Sequence, residues 1–431
     1  MKNIVKKSKF DPKNAHIAFS PPDISILEID EIENALKSGW ITTGPRTKLF
    51  EKNIAAYCGL PSGNTVCLNS ATAALELVLR LLGIGPGDEI ITSAYTYTAS
   101  ASVIDHVGAT IRLLDCGRDS YEIDYDAIAE AINEKTKAII PVDIGGVMID
   151  YDKLFSVVSS RKDCWKPKSG TLQEAFDRVT IIADAAHSIG ASYRGKISGS
   201  IADFSCFSFH AVKNLTTAEG GAVTWIERSG LDDKFLYDQF QLLSLHGQNK
   251  DAAAKLKPGA WEYDIICTGY KCNMTDLAAA LGLKQLERFN RLIEKRKKIS
   301  EIYDSILNPV ECNPSIGQIE RLNHVRQDRL GNYHLYLTRL PGITEIQRNE
   351  IIMTMALKGI ACNVHFKPLP MMTAYKRLGF NIIDYPNAYY QFANEITLPM
   401  HTLITEEEAV YVAETFKSCY LKTIESQGHS R

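Results

Sequence analysis

Along this 431-residue chain, short apolar runs alternate with longer stretches in which apolar positions recur at helical spacing. The short runs fall at 89–93, 110–114, 137–142, 179–183, 204–209 and 222–226, and helical spacing marks 24–36, 48–57, 68–82 and 125–133. Strands that are apolar almost throughout belong in a sheet covered on both faces, and strand–helix alternation builds such sheets from parallel strands. The pattern predicts an α/β protein with a mostly parallel sheet and helices on both faces. Ligand-binding groups should then arrive at the carboxyl ends of the strands.

The remaining stretches are punctuation or a second unit. Residues 1–20 read as a polar arm, and WITTGP at 40–45 as a turn broken by Gly44-Pro45. GIGPGD at 83–88 imitates half of a dinucleotide-binding fingerprint, but it follows a helix and precedes a strand, the reverse of the order that motif needs. Its glycines are predicted to cap the helix and turn the chain. Residues 161–178, rich in charge, Pro and Gly, read as a surface loop. Beyond a helical stretch at 235–245 and a polar segment at 246–259, residues 275–305 read as one long helix. It leads into a smaller α/β domain with strands at 334–336 and 362–366.

Three stretches carry candidate chemistry. In DFSCFSFHAVKNLTTAEGG, residues 203–221, Lys213 follows an alternating strand and precedes a loop of small residues. A solvated lysine stays protonated at neutral pH, so a nucleophilic one needs desolvation or a covalent partner; alone, Lys213 reads equally as a surface residue. In VTIIADAAHSIGA, residues 179–191, the apolar run ends at Asp184, as a buried strand would when it delivers a carboxylate to its edge. Such a carboxylate can hold a proton on the ring nitrogen of pyridoxal phosphate, or merely cap a helix. In LNSATAALELVLRLL, residues 68–82, Asn69 and Ser70 are cap residues ahead of a buried helix. Small Ser70, Ala71, Thr72 and Ala73 would let a phosphate approach its free N–H groups.

Together with WITTGP, LNSATAAL, GIGPGDEIIT, KAIIPV, ADAAHSIGA, FSFHAVKNLTTAEGG and GYKCNMTD (269–276), these stretches span most of the chain. The combination resembles the DegT/DnrJ/EryC1/StrS sugar-nucleotide aminotransferases, within the fold-type I pyridoxal-phosphate enzymes. It is closest to members that aminate a 4-keto sugar on a nucleotide. The resemblance implies a seven-stranded, mostly parallel sheet, an arm at 1–20, a large cofactor domain at 21–285 and a small domain at 286–431. Lys213 would hold pyridoxal phosphate covalently and Asp184 its pyridinium, with Tyr97 stacked on the ring and His187, one helical turn beyond Asp184, near its hydroxyl. Ser70, Ala71, Thr72 and Ser208 would hold the phosphate.

Lys271 and Asn273 occupy a segment that in the family approaches the neighbouring subunit's active site. The resemblance thus makes Asn273 a cofactor contact across a homodimer with shared sites, and Thr43, Lys271 and His365 substrate contacts. Capping by Asn273 and Thr275 is the competing reading. The implied cycle takes the amine from glutamate, passes through pyridoxamine phosphate, and gives the amine to a keto sugar on a nucleotide diphosphate for cell-surface polysaccharide synthesis. A related dehydrating branch replaces the lysine with histidine, whereas this chain keeps Lys213. A non-catalytic binding protein on the same fold, or an enzyme for a 3-keto sugar, is the alternative. Asp143 stands where relatives commonly carry histidine and receives no role.

Charge and composition narrow the remaining classes. Lys and Arg number 48 against 51 Asp and Glu, which gives no electrostatic case for a nucleic-acid partner. No run approaches the roughly 18 apolar residues of a membrane span. The ten cysteines form no C-x-x-C pair and no metal-binding histidine pair is present, so neither a zinc site nor a disulfide framework is expected. A cytoplasmic protein is the expectation.

Overall fold

The computed structural model describes residues 10–250, 262–307 and 319–428. Part of the polar segment expected at 246–259 therefore lies outside the described residues, as do residues 1–9 of the arm. The chain opens with α1 (Ile26–Lys37), started by a capping box in which Ser25 and Glu28 bond each other's backbone. Next comes α2 (Pro45–Cys58), with Pro45 in its first turn and Gly59 ending it in the left-handed conformation. Strand β1 (Thr65–Leu68) leads into α3 (Ala71–Leu81), capped by Ser70, whose side chain accepts from Ala73 N–H. Then follow β2 (Glu89–Ser93), α4 (Ala99–His106), β3 (Thr110–Leu114), α5 (Tyr125–Ala131), β4 (Thr136–Ile140), α6 (Tyr151–Ser160) and β5 (Thr180–Asp184). A short hairpin, β6 (Ser192–Tyr193) and β7 (Lys196–Ile197), precedes β8 (Phe204–Ser208), β9 (Gly221–Trp225) and α7 (Asp233–Ser244).

Seven of these strands form one sheet in the order β1-β9-β8-β5-β4-β2-β3. Its pairings from β3 to β8 are parallel, while β9 runs antiparallel to both β8 and β1. The central strands β4 and β5 are buried along their whole length, and the edge strand β3 leaves Thr110 and Arg112 exposed. That is the burial contrast expected between the middle and the margin of a doubly covered sheet. Strand β1 and helices α4 and α6, with the hairpin, have no counterpart in the sequence pattern.

Elsewhere the structure corrects the sequence reading. The long helix expected at 275–305 is two, Asp276–Glu287 and Phe289–Leu307. Arg288 sits at the break, its guanidinium bound to Asp23 and Glu28. The second of these helices enters a separate core with Ile299, Tyr303, Ile396, Leu398 and Phe416. There β10 (Glu320–Arg321), β12 (Tyr336–Arg339) and β13 (Glu395–Leu398) pair antiparallel, and β11 (Arg329–Leu330) instead joins β6. His334 and Leu335 precede β12. No strand forms at 362–366, where a single bridge joins Asn363 to Thr397.

The loop at 161–178 is also more than a surface excursion. Trp165, Gln173 and Phe176 are buried; Trp165 Nε1 donates to Phe176 O at 2.7 Å, and Gln173 Nε2 donates to Leu82 O at 3.0 Å. Residues 10–20 of the arm are anchored as well: Ile17 exchanges backbone bonds with Gly359 and Ala361, and Ser20 Oγ donates to Val212 O at 3.1 Å. At 83–88 the glycines do cap α3, with Gly83 at φ +68°. Among the described residues no helix is long and apolar enough to cross a membrane, and no group of His, Cys, Asp and Glu could hold a metal ion.

Candidate active site

Strand β8 ends at Ser208 and opens into a loop closed at its base by Phe209 N–H donating to Gly220 O and Thr217 N–H to Phe209 O, each at 2.8 Å. Lys213 lies in a turn within that loop, its N–H donating to His210 O at 2.9 Å. The loop directs Lys213 into a cavity of about 440 Å3, which Asp184, His187, Ser208, Ser70, Ala71, Thr72 and Tyr97 also line. A cavity of that size suits a cofactor or small substrate. Burial lowers the Lys213 amine to about 8, and the charge of Asp184 acts in the opposite sense.

Asp184 is the last residue of β5 and is buried. Ser100 Oγ donates to its Oδ2 at 2.7 Å and Ala186 N–H to its Oδ1 at 3.2 Å; Thr96 Oγ1 in turn lies 2.9 Å from Ser100 Oγ. Burial raises the carboxyl above the usual range against the lowering effect of these donors and of Lys213. The N-terminus of α3 also lines the cavity, with Ala71 and Thr72 in its first turn. Gly221 lets β9 pass directly against it: a Cβ there would stand 2.4 Å from Ser70 C and 2.5 Å from Ala71 N. The free N–H groups of that turn make the wall suited to an anion.

Four histidines line the cavity, His187, His210, His334 and His365, and His210 is the exposed one. His187 lies in a turn after β5, not in a helix, and its Nδ1 accepts from Gly145 N–H at 3.2 Å, so its proton is on Nε2. His334 Nδ1 is 2.9 Å from Asn214 Oδ1, while Asn214 Nδ2 donates to Asn332 O; the amide is thereby oriented, and the His334 proton is on Nδ1. His187 and His334 are in ring contact at 4.5 Å, and burial holds both well below the usual histidine value. His365 packs on Phe19 at 5.6 Å and is lowered to about 3, first by burial and then by the charge of Lys213.

The structure thus brings Lys213, Asp184, His187, Ser70, Ala71, Thr72, Ser208, Tyr97 and His365 to one cavity. Tyr97 is at its mouth, 61% exposed, with its ring 6.1 Å from Phe366. Thr43, Lys271 and Asn273 do not line it. They form their own cluster, in which Lys271 donates to Asn273, Asn273 Nδ2 to Thr43 Oγ1 at 2.5 Å, and Thr43 to Met274 O at 2.5 Å. Asp143 is also outside the cavity, wholly buried under bonds from Ser188 Oγ and Ile149 N–H. Sequence reasoning missed Phe19, Ser20, Ser100, His334 and Phe366. Only His334, a polar residue within an apolar run, left a signal.

The sheet is that of the pyridoxal-phosphate-dependent transferases of fold type I. The model of the DegT/DnrJ/EryC1/StrS aminotransferase family matches residues 22–166 and 167–417, and the chain belongs to that family. It is similar to Spr1654 from Streptococcus pneumoniae, described as a candidate sugar aminotransferase, whose PMP form superposes with a TM-score of 0.90 at 53% identity, covering 95% of this chain and 100% of that one. The PLP form of the same protein gives 0.89 at 51%, covering 95% and 99%. The spore coat polysaccharide biosynthesis protein SpsC of Bacillus subtilis is 34% identical over 412 residues, 94% of this chain and 97% of SpsC. PseC of Helicobacter pylori, an aminotransferase of pseudoaminic acid biosynthesis, is 27% identical with a TM-score of 0.81, covering 94% and 100%.

Proposed function

We propose that this chain is a pyridoxal-phosphate-dependent aminotransferase that moves an amino group from glutamate to a 4-keto sugar carried on a nucleotide diphosphate. The observation that carries the reading is the meeting of Lys213, Asp184 and the α3 N-terminus in one cavity. These residues fit the cofactor chemically: an amine lowered to about 8 for its aldehyde, a buried carboxylate short of a cation for its ring nitrogen, and an anion-binding helix end for its phosphate. The PLP and PMP forms of Spr1654 support the same assignment.

When bound, pyridoxal phosphate supplies an aldehyde for covalent attachment and a protonated ring that withdraws electrons from the bond to be broken. Lys213 would hold that aldehyde covalently and, when free, would serve as the base and acid that carries the reaction's proton. Asp184, fastened by Ser100, would favour a protonated ring nitrogen. Ser208, Ser70, Ala71 and Thr72 would hold the phosphate, Tyr97 at the mouth would stack on the ring, and His187 would stand on the side of its hydroxyl. His365 contacts the sugar or its diphosphate. A second subunit presents Thr43, Lys271 and Asn273 to this site, a reading supported by exposed Ile41, Ile265, Ile266 and Tyr270 nearby. The large cofactor domain covers 21–285 and the small domain 286–431.

The test is a two-step assay on purified protein. Glutamate should convert the cofactor to its amine form, and a panel of nucleotide-linked keto sugars should then be screened for the one that restores the aldehyde form. Turnover of a 3-keto but no 4-keto sugar would redirect the substrate assignment; no turnover of any would favour a binding protein on this fold.

A further inference from the structure

One imidazole at the site is connected through a hydroxyl to a buried carboxylate. His365 Nδ1 lies 2.9 Å from Thr397 Oγ1, which lies 2.6 Å from Glu395 Oε1. Glu395 Oε2 accepts from His365 N–H at 2.8 Å, so the carboxylate grips both the ring and its backbone. Glu395 and Thr397 are fully buried on β13. No described residue bonds His365 Nε2, and the residue lines the cavity that holds Lys213.

The chain of bonds allows two arrangements. With Glu395 ionised, Thr397 must donate to it and accept from Nδ1–H, which leaves a lone pair on Nε2. With Glu395 protonated, it donates to Thr397, Thr397 donates to Nδ1, and the ring proton stands on Nε2. The ring is neutral in both, and they differ by one proton that enters at Nε2 and is stored on Glu395.

We propose that Glu395, Thr397 and His365 form a proton relay: Nε2 takes a proton from an amino or hydroxyl group of the substrate, the Nδ1 proton moves to Thr397 Oγ1, and the Thr397 proton moves to Glu395 Oε1. One substrate N–H or O–H bond breaks, leaving its electron pair on that atom, and one O–H bond is gained at Glu395. The relay explains how His365 could act as a base in a place hostile to imidazolium, since burial and the charge of Lys213 hold it at about 3. Burial raises Glu395 to about 8, so the carboxyl can keep the proton there, with Arg348 acting in the opposite sense. Tyr95, Tyr121 and Cys362 are the other titratable groups acting with Glu395, Lys213 is the charge that acts on His365, and His187 and His334 are the neighbouring imidazoles that act with it. Glu395 and Thr397 act through His365 and are positioning residues. The inference rests on the aminotransferase reading for the identity of the substrate group, not for the relay itself.

The experiment is imidazole 15N NMR on the holoenzyme, labelled in its ten histidines and free of substrate, with His365 assigned by His365→Asn. Raising the pH from about 6.5 to about 9.5 should move the His365 proton from Nε2 to Nδ1 with the ring neutral throughout. Thr397→Val, which keeps the volume and removes the hydroxyl, should abolish the switch and slow single-turnover half reactions about tenfold, with the cofactor absorbance band unchanged. Thr397→Ser should restore both and guards against a folding defect. A single tautomer across the range in the wild type, or a Thr397→Val enzyme with wild-type half-reaction rates, overturns the relay. Should no amino donor or keto sugar react, the substrate reading falls and the tautomer measurement alone decides the relay.

Discussion

Lys213 and Asp184 line one cavity, and burial displaces them in opposite senses, the amine down to about 8 and the carboxyl up from its usual range. Each partly offsets the other, since the carboxylate charge favours the ammonium and the ammonium favours the carboxylate. The result is an amine with an accessible nucleophilic form and a carboxylate still short of a cation.

The amine's position sets the pH dependence of cofactor capture. Below about 8 the uncharged fraction of Lys213 falls tenfold per pH unit, whereas an ordinary lysine near 10.4 would show the same slope to far higher pH. Capture of pyridoxal phosphate by the apoprotein, followed by absorbance, should speed up about tenfold per unit below pH ~8 and level off above it. Lys213→Ala should form no borohydride-reducible bond. A rate still climbing at pH 10 would mean that the amine is not desolvated as described.

Removing the charge of Asp184 should be far more damaging than loosening it. Asp184→Asn deletes the one charge that raises Lys213, leaves Ser100 and Ala186 donating to a weaker acceptor, and removes the carboxylate that would pair with the ring nitrogen, where losing one partner of a buried pair costs about 3–5 kcal/mol. Transamination should fall at least ~100-fold and cofactor affinity with it. Ser100→Ala removes one bond to a charged group, about 1.5–3 kcal/mol at most, and should cost roughly tenfold. Fluorescence titration with the cofactor and steady-state rates measure both; equal losses in the two variants would argue that Ser100 does more than fasten the carboxylate.

How much of this was legible in the chain depends on range. The central strands were readable because β4 and β5 are buried on both faces and so are apolar without interruption. Lys213, Asp184 and Ser70 were readable because each follows or precedes such an element and so must stand at its end. The edge-side partner β1 was hidden, since Thr65–Leu68 offers only three apolar residues, Val66, Cys67 and Leu68, before the Asn69-Ser70 cap of α3. The helix break at Arg288 is set by Asp23 and Glu28, more than 250 positions away, and no local spacing encodes it. Phe19, His334 and His365 reach the cavity by the same kind of long-range packing.

The close pass of β9 beneath α3 makes Gly221 a sensitive position. In Gly221→Ala the added methyl meets backbone, not a flexible side chain, so either the strand or the helix N-terminus must move. Overpacking of this kind costs about 1–3 kcal/mol. The displaced atoms belong to the proposed phosphate wall, so affinity for pyridoxal phosphate should fall more than affinity for pyridoxal, which lacks that group. Isothermal titration with the two compounds distinguishes the cases, and an equal loss for both would move the phosphate away from Ser70 and Ala71.

Asp143, which receives no catalytic role, should nevertheless leave its mark on stability. Its carboxyl is raised to about 7, chiefly by burial, despite bonds from Ser188, Ile149 N–H and Tyr151 that lower it. An unfolded aspartate titrates near 3.9, so between about 4 and 7 the folded state binds a proton that the unfolded state does not. The stability this confers is complete below about 4 and is lost as the pH rises through 7. Asp143→Asn keeps the shape and cannot titrate. Relative to the wild type it should therefore gain about 2–3 kcal/mol between pH ~5 and pH ~8, because the wild type alone takes on a buried charge over that range. Urea unfolding of both proteins at the two pH values measures the change, and a difference that does not vary with pH would show that Asp143 is ionised throughout.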